Sequence, residues 1–146
     1  MVNPSQIHID CKPSIDEVKE FINKIGDSVD TFKYFNSRPF SIIENHLVTI
    51  LLSDSNQNVG YGHLEIENDI VWLGIAIDSQ KKGKGYGNQI MNYLISYYLR
   101  MNTKTQLFLT VHSTNKYALI LFEKWQFKKQ YKINDKSYLM KFSKNG

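Results

Sequence analysis

The feature that most constrains this chain is a run of alternating glycines, Gly83, Gly85 and Gly87, between two apolar segments. Because glycine lacks a Cβ atom, such a run lets the backbone approach a ligand and direct successive N–H groups at it. Residues 70–77, before the glycines, are apolar on both faces and predict a central strand. The segment after them has the apolar spacing of a helix. This order predicts a site for an anionic ligand, such as pyrophosphate, at a helix N-terminus.

Two common phosphate loops do not fit these residues. The Walker loop requires Gly-Lys-Ser/Thr, whereas Gly83-Lys84 is followed here by another glycine. The dinucleotide-binding fingerprint would require glycine at position 88, which is Asn88. A plain glycine-rich turn is the structural alternative. Two flanking lysines, Lys82 and Lys84, favour an anionic ligand over that alternative.

Hydrophobic periodicity predicts a mixed α/β domain. Strands are predicted over residues 5–11, 46–52, 58–67, 70–77, 106–112, 127–132 and 137–142, helices over 14–25, 86–101 and 115–125, and short helical segments over 30–35 and 40–45. Turn residues separate the second, third and fourth strands, which indicates an antiparallel meander. The meander leads into one strand–loop–helix–strand unit.

Length and composition predict one domain over residues 1–146, because about 150 residues are typical of a domain. The net charge of +4 comes from 18 basic and 14 acidic residues, and the lysines are scattered. This favours a small anionic ligand over nucleic acid as the partner. No apolar run is long enough for a membrane helix, and no signal peptide is visible. A single cysteine, Cys11, excludes an internal disulfide, so a cytoplasmic protein without a cysteine-based metal site is expected.

Three stretches resemble one family. Gln80-Lys81-Lys82-Gly83-Lys84-Gly85 matches the Gln/Arg-x-x-Gly-x-Gly/Ala signature of the GNAT superfamily of acyl-CoA-dependent N-acetyltransferases. Residues 73–77 are similar to the family's fourth strand, and residues 115–127 to its Asn-x-x-Ala-x-x-Leu-Tyr-x-Lys-x-Gly-Phe helix. The resemblance covers residues 46–142. It implies the GNAT fold, a mostly antiparallel sheet of six to seven strands, splayed between strands four and five and flanked by helices on both faces.

The resemblance also implies acetyl-CoA as co-substrate, with no metal. The backbone of Ile75, Ala76 and Ile77 would contact the pantetheine arm, and Asn115 its thioester end. The pyrophosphate would lie on the loop residues Lys82, Gly83, Lys84, Gly85, Tyr86, Gly87 and Asn88. Two positions depart from the family pattern. Phe122 replaces the tyrosine that protonates the leaving thiolate, so Tyr117, Tyr138 or water would have to substitute, and Gln126 replaces a glycine.

A base is needed because an alkylammonium acceptor is protonated at neutral pH. His63 and Glu65 are two residues apart on the third predicted strand, so both project from one face of the sheet. His63 suits a base by its ordinary pKa, and the alternative is that this face is packed or solvated. His112, at the end of the fifth strand, is a second candidate. His46 is interpreted as an edge histidine with a structural role.

Acceptor binding is predicted for the aromatic segment that contains Arg38, which could meet a phosphate or carboxylate. Trp72 could line the site or pack on the sheet. The resulting hypothesis is transfer of acetyl from acetyl-CoA to a primary amine of a small molecule, an amino sugar being one candidate, by direct attack in a ternary complex. The alternatives are a protein lysine or N-terminus as acceptor and a CoA-binding domain without turnover. The resemblance also makes a homodimer an option, although no residue identifies an interface.

Overall fold

The computed structural model describes residues 6–25 and 32–143. Its strands and helices, in chain order, are β1 (Ile7–Asp10), α1 (Ile15–Lys24), β2 (Val48–Asp54), β3 (Gln57–Glu67), β4 (Ile70–Ile77), α2 (Tyr86–Arg100), β5 (Gln106–His112), α3 (Lys116–Lys124), β6 (Phe127–Asn134) and β7 (Ser137–Phe142). Three short 3-10 helices span Tyr34–Asn36, Phe40–Asn45 and Ser79–Lys81. Within these ranges, no helix has the length and apolar character needed to cross a membrane.

The described strands form one 7-stranded sheet in the order β1-β2-β3-β4-β5-β7-β6. The first four strands pair antiparallel, as the meander predicts. Only the β4–β5 pair is parallel, because the glycine loop and α2 carry the chain back across the sheet. The sequence-based fold class is therefore confirmed as a mixed α/β sheet with seven strands.

Two-residue turns set the register of the meander. Asn68 and Asp69 both have positive φ (53° and 61°), as a tight hairpin requires, and they lie where the sequence predicts the turn. The preceding turn is shorter than predicted. Ser55 and Asn56 alone adopt positive φ, so β2 continues through Asp54 rather than ending at residue 52.

Successive residues of β3 point to opposite faces of the sheet, and each face packs against its own hydrophobic cluster. Gly60 and Gly62 face α2, and a Cβ atom at either position would lie within 2.7 Å of the Ile90 side chain. The absence of a side chain there brings α2 close to the sheet. Tyr61 faces the other side, where it packs with Phe21 of α1 and the rings of the 32–40 segment. His63 and Glu65 follow Tyr61 on that second face.

Helix α1 begins as predicted. Ser14 and Glu17 form a capping box, with the Ser14 hydroxyl accepting from the Glu17 N–H and the Glu17 carboxylate accepting from the Ser14 N–H. The helix ends at Lys24 with Ile25 as its C-cap, in agreement with the predicted end at residue 25. The start of the predicted 30–35 segment lies outside the described residues, and its described part is helical only where the 3-10 helix Tyr34–Asn36 begins. Residues 40–45 form a 3-10 helix rather than an α-helix, and Pro39 precedes it in an extended conformation.

Candidate active site

Strands β4 and β5 separate after three residue pairs. Ile70, Val71 and Trp72 pair with the start of β5, and the described register ends there. From Phe108 onward β5 pairs with β7 on its other side. The resulting gap exposes the backbone of Ile75 and Ala76 to an incoming extended chain, which is how a sheet edge accepts a further strand.

A cavity of about 460 Å³ opens at this gap. Of the predicted site residues, those that line it are Arg38, His63, Glu65, Trp72, Ile75, Ala76, Ile77, Lys82, His112, Asn115 and Phe122. The six loop residues from Gly83 to Asn88 are not part of its wall. The cavity therefore joins the predicted pantetheine strand to the predicted base and acceptor residues, and the glycine loop lies beyond it.

The glycine loop adopts a conformation that side chains disfavour. Gly83 has φ of +82°, and Gly85, the N-cap of α2, has φ of +91°. The N–H groups in the first turn of α2 have no intrahelical acceptor. That of Gly87 bonds to the Tyr117 hydroxyl, and the others in this turn are available to an anion. Two of the predicted loop side chains are occupied elsewhere. Tyr86 donates a hydrogen bond to Asp54, which raises the pKa of Tyr86 to about 12, and Asn88 Oδ1 accepts from Trp125 Nε1 at 3.0 Å.

Helix α3 places Tyr117 against the glycine loop. A Cβ atom at Gly87 would lie 2.8 Å from the Tyr117 hydroxyl, and the Lys82 ammonium lies 5.8 Å from the centre of the Tyr117 ring. Burial raises the pKa of Tyr117, partly offset by the backbone N–H groups of Gly83 and Gly87. The phenol is therefore protonated at neutral pH. The sequence named Tyr117 only as a substitute acid, and the structure puts it on the cavity wall.

The two α3 positions predicted to contact the cofactor differ in character. Asn115 caps the helix, because its side-chain oxygen accepts from the Ala118 N–H at 3.1 Å. Its amide nitrogen is left for a ligand. Phe122 is 4% exposed and packs against Phe127, so it supplies an apolar wall and no proton. Tyr138 does not line the cavity, and the Lys129 ammonium lies 4.6 Å from the centre of its ring.

His63 is held at the buried end of the cavity. It is 2% exposed, and its Nδ1 lies 2.6 Å from the Tyr61 hydroxyl. Among the described residues that hydroxyl has no other acceptor, so it donates to Nδ1 and neutral His63 carries its proton on Nε2. Burial lowers the pKa of His63 well below its usual range, and the charges of His46 and Arg38 add to this effect. His63 is thus a neutral N–H donor.

Glu65 is the end of a hydrogen-bond chain that the sequence did not reveal. Tyr34 donates to Glu65 Oε1 at 2.9 Å, and the same hydroxyl lies 2.7 Å from His46 Nε2. Since Tyr34 has one proton, His46 Nε2 donates to it, and Thr49 donates to His46 Nδ1 at 2.8 Å. All donors point towards the carboxylate. Within the described residues no hydrogen bond occupies Glu65 Oε2, so this oxygen is available to the cavity.

The same groups have a spacing that a metal ion could use. His46, His63 and Glu65 each place one donor atom within 4.8 Å of the others. The Tyr34 hydroxyl, however, is hydrogen-bonded to both His46 and Glu65. The Tyr34 hydroxyl thus accounts for the close spacing of two of the three groups, and His46 takes part in a hydrogen-bond chain that the sequence interpretation did not include.

His112 lies at the opposite wall, at the end of β5. Its Nδ1 is 2.7 Å from the Thr114 hydroxyl and also accepts from the Thr114 N–H at 3.3 Å. Neutral His112 therefore carries its proton on Nε2. Its Nε2–H is therefore the group that could donate a hydrogen bond to a ligand, and its role as a base stays a prediction.

Phe32, Lys33, Tyr34 and Arg38 of the 32–40 segment also line the cavity, and Arg38 is the predicted acceptor-binding residue. The Arg38 guanidinium lies 4.3 Å from the centre of the Tyr34 ring and donates to the Tyr34 carbonyl at 3.0 Å. Trp72 both lines the cavity and packs on Phe108, at 5.9 Å between ring centres. Glu67, which the sequence analysis did not select, also lines the cavity. Continuing the alternation of β3 beyond Glu65 would have identified it.

Solved structures with the same architecture are numerous, at low sequence identity. A GNAT-family acetyltransferase from Streptococcus pneumoniae is 18% identical over 94% of this chain and 99% of that one, with a TM-score of 0.76. Spermidine N-acetyltransferase from Vibrio cholerae, in complex with CoA and spermine, is 16% identical over 94% and 95%, with a TM-score of 0.73. The ribosomal-protein-S18-alanine N-acetyltransferase from Escherichia coli is 18% identical over 93% and 92%, with a TM-score of 0.66.

These neighbours share the fold, and their names span both small-molecule and protein acceptors. A sequence search among curated proteins found no match. The model of the acetyltransferase (GNAT) family, by contrast, matches residues 7–127, most of the chain. With the splayed sheet and the glycine loop, this match establishes that the chain belongs to the GNAT family of acetyltransferases, whose acetyl donor is acetyl-CoA.

Proposed function

We propose that this protein transfers the acetyl group of acetyl-CoA to the primary amine of a small molecule. Residues 1–146 act as one catalytic domain. The observation that carries the proposal is the single cavity that runs from the β4–β5 gap to Glu65. A thioester in the gap and an amine at the carboxylate would then lie in one enclosed space, where positioning alone gives a large rate advantage.

The cofactor would occupy the cavity wall formed by β4 and α3. The pantetheine arm would pair with the backbone of Ile75 and Ala76. The pyrophosphate would bind N–H groups at the start of α2 other than that of Gly87, which bonds to Tyr117. Lys82 stands between these two regions, since it lines the cavity and precedes Gly83. Its ammonium would neutralise part of the pyrophosphate charge.

Glu65 is the favoured proton acceptor. As the nitrogen attacks the thioester carbon, its N–H becomes far more acidic, and Glu65 Oε2 would receive the proton. His63 would serve a different purpose, because its Nε2 carries a proton and its pKa is lowered. It would orient the acceptor or the thioester oxygen by donating a hydrogen bond. Glu65 is thus assigned as proton acceptor and His63 as hydrogen-bond donor, because the Tyr61 contact leaves the His63 proton on Nε2.

The leaving group would depart as a thiolate when the C–S bond breaks. A thiol has an ordinary pKa near 8.5, so its anion is a tolerable leaving group at neutral pH even with Phe122 in place of an acid. Tyr117 lies on the cavity wall with its phenol protonated and could donate that proton to the thiolate. Glu65 would then lose its proton to solvent and Tyr117 would regain one from it, which completes the cycle. Cys11 lines a separate cavity, so no acyl-cysteine intermediate is invoked, and attack in a ternary complex is the simplest route.

Thermal unfolding in the presence of acetyl-CoA, followed by a panel of acceptors, tests this proposal. Ligand at 100 times its dissociation constant should stabilise the fold by about 2.7 kcal/mol and raise the Tm by about 5–10 °C. Thiol release should then depend on a small primary amine. Thiol release only in the presence of peptides would assign a protein lysine or N-terminus as the acceptor. A Tm shift without thiol release would indicate a CoA-binding domain that does not catalyse transfer.

A further inference from the structure

The cavity wall carries charges of both signs. Glu65 and Glu67 lie on β3, whereas Arg38 and Lys33 come from the 32–40 segment, and all four line the cavity. Within the described residues, no ion pair joins Arg38 to either carboxylate. Because the acidic and basic side chains do not pair with each other, a ligand that carries both a positive and a negative group could bind to both.

Arg38 is held in place by contacts that leave most of its donors free. Its guanidinium is stacked over the Tyr34 ring at 4.3 Å, and one nitrogen donates to the Tyr34 carbonyl. A guanidinium has five N–H donors, so the remaining donors can bind an oxygen anion in a two-point arrangement. Stacking fixes the plane of the group and lowers the entropy lost on binding.

The carboxylate side is suited to an ammonium or amine. Glu65 is 8% exposed, and its Oε1 is already occupied by Tyr34. Only Oε2 remains for a ligand. Tyr34 thus contacts both sides of the site, with its ring under Arg38 and its hydroxyl on Glu65.

We propose that the acceptor is an amine that also carries an anionic oxygen group, a carboxylate or a phosphate, which binds Arg38 while the amine faces Glu65. This inference rests on the acetyl transfer proposed above and names its substrate class. An acceptor with cations only would place positive charge against Arg38 and Lys33.

Matched pairs of amines test the proposal. Phenylalanine is compared with phenethylamine, and glucosamine 6-phosphate with glucosamine, with spermidine as a purely cationic acceptor. At least one anionic member should have a kcat/KM about tenfold or more above that of its neutral partner, as expected of a charge-assisted hydrogen bond. The phosphate pair and the carboxylate pair show which anion is preferred.

Variants connect the preference to Arg38. In Arg38→Gln the ratio of anionic to neutral kcat/KM should fall towards one, and Arg38→Lys should restore it only in part because an ammonium lacks the planar fork. Arg100→Gln removes the other arginine, at the end of α2, and should leave the ratio unchanged. Equal kcat/KM within both pairs, a preference for spermidine, or a preference that survives Arg38→Gln would overturn the inference.

A binding measurement separates this inference from the proposed function. If no amine is acetylated although acetyl-CoA binds, the proposed function fails. The same pairs are then titrated into the protein–CoA complex by calorimetry. Tighter binding of an anionic member, lost in Arg38→Gln, supports the acceptor class, and equal binding within both pairs overturns it.

Discussion

The imidazole of His63 lies across the backbone of Gly74, its register partner on β4, and a Cβ atom at position 74 would come within 2.6 Å of His63 Nε2. The glycine thus creates the space in which the ring sits. Because His63, Gly74 and Glu65 all line the cavity, the ring position and the shape of the cavity depend on each other.

Replacing Gly74 by alanine should displace His63. We expect kcat to fall by about tenfold or more, because a misplaced group near the reacting atoms is costly, while acetyl-CoA affinity changes little. Steady-state kinetics and calorimetry measure the two quantities. Gly62→Ala is the matched control, since its Cβ would meet Ile90 on the opposite face of the sheet. Equal loss of kcat per folded molecule in both variants would contradict a specific role for the His63–Gly74 contact.

Glu65→Gln removes the favoured proton acceptor and preserves the size of the side chain. We expect kcat to fall by about 10²–10⁴-fold, the usual contribution of general base catalysis, with little change in acetyl-CoA affinity. The exposed α1 residue Glu20 provides the control as Glu20→Gln. A Glu65→Gln enzyme with wild-type kcat and pH profile would assign the proton transfer to another group.

Tyr34→Phe removes one hydroxyl and keeps the ring on which Arg38 is stacked. The Glu65 carboxylate then loses the donor on its Oε1, so its Oε2 is less firmly positioned. We expect kcat to fall by roughly tenfold, as for loss of a hydrogen bond to a carboxylate, while acetyl-CoA affinity changes little. Steady-state kinetics and calorimetry measure the two quantities, and an unchanged kcat would show that the Tyr34 hydroxyl does not position Glu65.

Gly85→Glu should abolish acetyl-CoA binding, because it would place a carboxylate in the loop that we propose as the pyrophosphate site. Gly85→Ala is the matched control, since both variants carry the same backbone strain at φ of +91°. Calorimetric titration separates them. Comparable affinities in the two variants would mean that the loop does not hold the pyrophosphate.

Acid should destabilise the fold through the buried histidines. Burial, and then the Arg38 charge, lowers the pKa of His46 from 6.5 to about 4. Between pH 6.5 and 4 the unfolded chain binds a proton that the folded chain does not, so the free energy of unfolding falls as the pH is lowered through this window. The loss from His46 should be on the order of 1–2 kcal/mol, given its partial exposure.

Urea unfolding at several pH values measures this dependence. His46→Gln should flatten the stability profile between pH 6.5 and 4, whereas the exposed His8→Gln should not alter it. Identical slopes in the wild type and in His46→Gln would show that the ring is not held neutral by its surroundings.

The sequence predicts the position of a helix, strand or turn correctly where that position depends on neighbouring residues alone. The start of α1 at Ser14, the turn at Asn68-Asp69 and strand β4 depend on neighbouring residues, and each lies where the pattern predicts. For residues 40–45 the sequence predicts a short helical segment without its type, and the structure has a 3-10 helix. Periodicity over six residues does not separate a 3-10 helix from an α-helix.

The hydrogen-bond chain to Glu65 and the protonation of His63 could not be predicted from the sequence, because both depend on contacts between distant residues. Tyr34, His46 and Glu65 meet only because the 32–40 segment folds over the face of β3, at sequence separations of 12 and 31 residues. No spacing rule predicts that meeting. The protonation of His63 likewise depends on the Tyr61 hydroxyl, so the pair His63 and Glu65 could be selected from strand alternation, but their division of roles could not.

The most direct test of the central claim is a time course with acetyl-CoA and a responsive primary amine. Free thiol and acetylated amine are quantified in the same mixture, and the intact protein mass is recorded. We predict one acetylated amine per thiol released, negligible release without amine, and an unmodified protein throughout. Thiol release that needs no amine, or an acetyl group that accumulates on the protein before the amine is consumed, would contradict direct transfer from acetyl-CoA to the acceptor.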